Sequence, residues 1–123
     1  MGVLLAASRE ALPAEGMSFL VVTSDLRISA VSEAAERLFG SPEPDLIGTN
    51  LLRVMTSPES DDELAVRVAR AANGARGVAL VAIRLIRGDR PVFGRLEARV
   101  TPCGPPRGAL VALEPMRLVG PSL

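Results

Sequence analysis

Three features of the sequence predict an α+β domain built on an antiparallel sheet. Residues 18–48 read as strand, turn, strand and capped helix; an amphipathic helix opens at Ser60; and three β-rich runs occupy residues 78–113.

Residues 19–22 are an apolar run of β-branched and aromatic type, Ser24 and Asp25 carry turn chemistry, and residues 27–31 supply a second short strand, which together predict a hairpin. Ser32 offers a hydroxyl to the free backbone N–H groups of a helix whose Ala34, Ala35, Leu38 and Phe39 recur at helical spacing. Gly40 is placed to end it. Ser41 and Pro42 predict another helix start, with Ser as cap and Pro at the first helical position, and Pro44 limits that helix to about one turn. Residues 49–55 predict a second short helical turn.

Ser60 and Glu63 have capping-box spacing, and Asp61 and Asp62 favour the positive end of the helix that follows. Leu64, Ala65, Val68, Ala69 and Ala72 form its apolar stripe, Glu63 and Arg67 stand at pairing distance, and Asn73-Gly74 supplies the stop. Residues 78–86 are β-rich and Gly88, Asp89 and Arg90 form a turn. Residues 92–101 set Val92, Leu96, Ala98 and Val100 on one face and Phe93, Arg95, Glu97 and Arg99 on the other. A loop from Cys103 to Pro106 leads to a last strand, residues 108–113, apolar on both faces. At the other end of the chain, Val3, Leu4, Ala7, Ala11 and Leu12 lie near helical spacing opposite Arg9 and Glu10, which predicts a short amphipathic helix ended by Pro13.

The opening run resembles the start of a PAS domain, in which a hairpin leads into an A-A-E-x-L-x-G helix and an L-I-G step. Here those positions are Ala34, Ala35, Glu36, Leu38 and Gly40, then Leu46, Ile47 and Gly48; the cap usually held by Asn is Ser32, a mild change because both cap well. The resemblance implies a five-stranded antiparallel sheet flanked by short helices, preceded by the amphipathic helix. It divides the chain into residues 1–16 as a dimerisation cap, 17–115 as the PAS-like domain and 116–123 as a tail or linker. PAS domains often close on a D-I-T step that leads into a signalling helix; Glu114-Pro115 stands there, and Pro115 disfavours a helix running straight through.

Composition narrows the function. At 123 residues and 48% hydrophobic, the chain is one domain with material for a full core. Fourteen basic and fourteen acidic residues cancel, leaving no broad field for nucleic acid or an anionic membrane. No apolar run reaches bilayer length, and residues 2–7 are too short and lack the basic lead-in of a secretory signal. With one cysteine and no histidine, an internal disulfide, a His/Cys zinc cluster and Ser–His or Cys–His catalysis are all excluded within this chain, so the expectation is a cytoplasmic, non-enzymatic domain.

PAS relatives that hold haem use His, photoadduct flavin types place Cys in a helical segment, the photoactive-yellow-protein type needs Tyr, and flavin-redox types commonly use Trp. This chain lacks His, Tyr and Trp, and Cys103 falls in a strand loop, so no cofactor is expected. An apolar cavity is the remaining candidate. If Arg84 faces outward, Val81, Ile83 and Leu85 face inward, opposite Leu64 and Val68, with Leu96 and Ala98 on the adjoining strand. Those seven residues either line a small apolar ligand or simply fill the core.

The other sheet face offers a second site. Strands at 19–22 and 109–113 are apolar on both sides, and leaving ~400 Å² of such surface in water would cost on the order of 10 kcal/mol at about 25 cal/mol per Å². The helix carrying Val3, Leu4, Ala7, Ala11 and Leu12 is the expected cover, in a homodimer. The reading is a sensory and dimerisation domain of a signalling or transcription-regulatory protein such as a sensor histidine kinase, with a downstream effector domain. A purely structural pairing module and a redox switch at Cys103 are the alternatives.

Overall fold

The computed structural model describes residues 17–58, 60–87, 90–91 and 95–115. A hairpin of β1 (Ser18–Val22) and β2 (Ile28–Val31) leads into helix α1 (Glu33–Phe39), the single-turn α2 (Glu43–Leu46) and a 3-10 turn at Leu51–Arg53. After β3 (Met55–Thr56) comes the long helix α3 (Asp61–Ala72), then β4 (Ala79–Arg87), β5 (Arg90–Pro91), β6 (Leu96–Cys103) and β7 (Gly108–Pro115). The strands form one antiparallel sheet in the order β2-β1-β7-β6-β4-β3, with β5 paired to β4.

The five long strands fall where the sequence places them, but the count of five is corrected by β3 and β5. Met55 is the last residue of the stretch read as a helical turn, and β3 begins there. Its two residues pair with Leu85 and Arg84, an edge contact too short to leave a periodic signal. Strand β6 continues to Cys103, which pairs with Gly108, so Cys103 belongs to the hairpin and not to its loop. Pro102 is tolerated inside β6 because pairing to β4 ends at Val100, where its missing N–H leaves no ladder partner unmet. The expected residues 92–94 of this strand, and the amphipathic helix of residues 1–16, lie outside the described residues.

Local capping follows the predictions with two changes. Helix α1 is capped by Ser32, whose hydroxyl accepts from the Ala35 N–H at 3.1 Å, and it ends at Gly40 in the left-handed region, φ 73°. Ser41 does not cap α2: Pro42 holds that position, and the Glu36 carboxylate instead accepts from the Glu43 N–H at 2.5 Å. Glu43 in turn accepts from the Val31 N–H at 2.9 Å, tying α1, α2 and β2 together through two carboxylates. At α3, Ser60 accepts from the Glu63 N–H at 3.3 Å, but the return arm of the capping box is replaced by Ser57, whose hydroxyl accepts from the Ser60 N–H at 3.4 Å.

One face of the sheet carries the core. Leu20 and Val22 of β1, Val81, Ile83 and Leu85 of β4, Ala98 and Val100 of β6, and Ala109, Val111 and Leu113 of β7 are buried together with Ala35, Phe39, Leu64 and Val68 of the helices. Helix α3 lies over β6 and β7, and α1 against β1. Each inward methyl-bearing side chain removed from water contributes on the order of 1–3 kcal/mol, and this cluster is the main source of stability.

Candidate functional site: inner wall, open cleft and outer strip

The seven candidate cavity residues converge on one wall. Leu64, Val68, Val81, Ile83, Leu85 and Ala98 are buried, Leu96 is half-buried at its edge, and all belong to or pack against the continuous core. Arg84 has the opposite parity on β4, as the period of two requires.

Apart from that wall, an open cleft lies between α1, α2 and the end of β4. It holds about 430 Å³ and is lined by Phe39, Leu46, Val54 and Ile86, with Ser41, Asp45, Thr49 and Arg53 around them. Phe39, Leu46 and Val54 are also members of the core cluster, so this cleft is where core side chains meet open space. Backbone pairing frames it: the Ile86 N–H donates to the Val54 carbonyl at 2.8 Å, one residue from the Leu85–Met55 pair. Asn50 anchors the 3-10 turn by accepting from the Leu52 N–H at 2.8 Å. The sequence reading missed this cleft because it assembles four separate segments, none marked by its own periodicity.

The outer face divides into two parts. Val21, Leu110 and Ala112 point away from the core by strand parity yet are buried, while Leu80, farther along the same face, is 55% exposed. Gly108 allows close approach of β1 and β7: a Cβ there would lie 3.1 Å from the Val21 side chain and 3.2 Å from the Val22 carbonyl. Arg99 and Glu114 pair across β6 and β7 at 3.8 Å on this face, an exposed contact of small energetic weight.

Cys103 is half-buried, and burial pushes its thiol up from the ordinary value. That keeps it protonated and weakly nucleophilic near neutral pH. In the β1–β2 turn, Asp25 is held below its usual range, first by the hydrogen bond that Thr23 donates to it. No group of three or more metal-ligating side chains occurs among the described residues, and no described helix is long and apolar enough to cross a membrane.

The sheet order, the short helices on one face and the long helix before β4 define the class, and the model of the PAS fold matches residues 14–116. The chain belongs to the PAS fold family. The PAS domain of nitrogen regulation protein NR(II) from Vibrio parahaemolyticus is similar, with TM-score 0.64 and 16% identity over 87% of this chain and 95% of that one. A PAS domain from Colwellia psychrerythraea has TM-score 0.66 and 18% identity over 91% and 96%. The PAS domain of the RpfR quorum-sensing receptor from Cronobacter turicensis, in complex with BDSF, has TM-score 0.62 and 11% identity over 86% and 99%. At these identities the likeness is one of fold. No curated protein sequence matches the chain.

Proposed function

We propose that this chain is the sensory and dimerisation domain of a cytoplasmic signalling or transcription-regulatory protein, such as a sensor histidine kinase, and is not itself an enzyme. The observation that carries the sensory part is the shared membership of Phe39, Leu46 and Val54 in both the core and the 430 Å³ cleft. That volume lies in the range of small-molecule sites, roughly 300–1,000 Å³. A small apolar ligand seated there contacts Phe39, Leu46 and Val54, which pack in the same core as the wall formed by Leu64, Val68, Val81, Ile83, Leu85, Leu96 and Ala98. Repacking of that wall shifts β4 against β3 and carries the signal to the sheet. No cofactor is required, and the domain contacts neither nucleic acid nor membrane.

Pairing uses the opposite face. The apolar positions Val3, Leu4, Ala7, Ala11 and Leu12 precede β1 by only a few residues; the strip of Val21, Leu110 and Ala112 is already buried within one chain, while Leu80 on the same face is 55% exposed. We place a homodimer on these surfaces, with residues 116–123 leading toward an effector domain. A module that pairs chains and binds nothing small is the second reading, favoured by the burial of six of the seven wall residues in a continuous core. Native mass spectrometry of protein purified from cells separates the two. The sensory reading expects a retained small molecule released on denaturation, and repeated bare masses would leave pairing alone.

A further inference from the structure

A second cleft, remote from the first, lies between the C-terminal half of α3 and the start of β4. It holds about 180 Å³ and is lined by nine residues, among them Arg67, Arg70, Arg76, Ala71, Ala79 and Val100. Three of those nine residues are arginines and none is acidic. Arg67 and Arg70 stand three apart on one helical face, and Arg76 comes from the loop beyond Gly74, whose φ of 93° turns the chain back toward the helix.

The usual employments of such arginines are already filled or absent. The carbonyls at the end of α3 are satisfied by backbone: Asn73 N–H donates to Ala69 and Arg70, Gly74 N–H to Ala71, and Ala75 N–H to Arg70, all between 2.9 and 3.1 Å. The Asn73 side chain adds a bond to the Ala69 carbonyl at 2.8 Å. The Glu63–Arg67 pair that the spacing predicted does not form; the ion pairs among the described residues are Arg37–Glu33 and Arg99–Glu114. Three full positive charges therefore share a concave site in which the opposing helix terminus contributes only about half a negative charge. Ala71, Ala79 and Val100 in the lining are small or apolar, and the three arginines at its rim are exposed to solvent.

We propose that this cleft binds a compact phosphoryl anion, the phosphate or pyrophosphate group of a small molecule, as a site separate from the sensory cleft. A tetrahedral dianion accepts hydrogen bonds from the several directions in which a helix face and a returning loop present arginine forks, whereas one planar carboxylate serves a single fork. The proposal does not depend on what the domain senses.

Titration of the ¹⁵N-labelled 123-residue chain with sodium pyrophosphate at constant ionic strength tests it. The expected result is saturable movement of amide signals from residues 67–79 with a Kd near or below about 1 mM. The double variant Arg70→Gln/Arg76→Gln, at two exposed positions, should weaken binding by about tenfold or more, while Arg37→Gln leaves it unchanged. Shifts that fail to saturate, or that respond equally to Arg37→Gln, overturn the site. Citrate binding as tightly as pyrophosphate would overturn the phosphoryl assignment.

Discussion

Replacing Leu64 with Ala is expected to lower folding stability by about 3 kcal/mol, within the range of roughly 2–5 for a fully buried leucine. Leu64 is completely buried in the first turns of α3, where the helix lies over β6 and β7 and their inward Ala98, Val100, Val111 and Leu113. Truncation removes the transfer energy of the lost carbons and leaves a cavity between a helix and a sheet, two rigid elements that cannot collapse onto it without breaking ladder pairs. In urea, with a slope of about 1–3 kcal/mol per M for a small domain, the midpoint should fall by roughly 1–3 M with the slope unchanged. Val66, two residues on and 46% exposed, provides the contrast: Val66→Ala should stay within about 0.5 kcal/mol. Equal effects at the two positions would mean that the inner face of α3 is wrongly assigned.

Ser32→Ala should cost about 2–4 kcal/mol, more than an ordinary helix cap. The Ser32 hydroxyl accepts from the Ala35 N–H at 3.1 Å and from the Phe19 N–H at 3.0 Å, and it donates to the Met17 carbonyl at 3.1 Å. Loss of a cap alone is worth about 1 kcal/mol, and orphaning a part-buried N–H adds a further cost of about 1–3 kcal/mol. The backbone adds its own clasp, since the Ser32 N–H donates to the Phe19 carbonyl at 3.0 Å, so the variant should still fold. Denaturation gives the total, and hydrogen exchange at Phe19 and Ala35 locates it: both amides should lose protection together. A loss under about 0.5 kcal/mol, or protection lost at Ala35 alone, would show that Ser32 acts only as a cap.

Ser32 also shows where a sequence is readable and where it is not. Its capping role followed from position and chemistry, because a cap and its helix are adjacent in the chain. Its bond to Phe19, thirteen residues away, depends on how the hairpin folds back, and nothing in the local pattern encodes that. The same division explains Glu36 and Glu43. Both lie on short helices, yet their carboxylates take backbone N–H groups of Glu43 and Val31 at the junction of α1, α2 and β2. Periodicity identified the inward wall of β4 correctly because alternation is a local property that tertiary packing preserves. It missed β3, too short to alternate, and it missed both clefts, whose lining residues come together only through the sheet and the returning loops.

Both readings of this domain share one requirement, that two chains meet. Light scattering on the intact protein across a range of concentrations measures it directly. A species of twice 12.9 kDa is predicted, falling to monomer when Leu4 is changed to Glu while the domain stays folded. A monomer of 12.9 kDa persisting at high concentration in the unaltered chain would contradict the pairing surface.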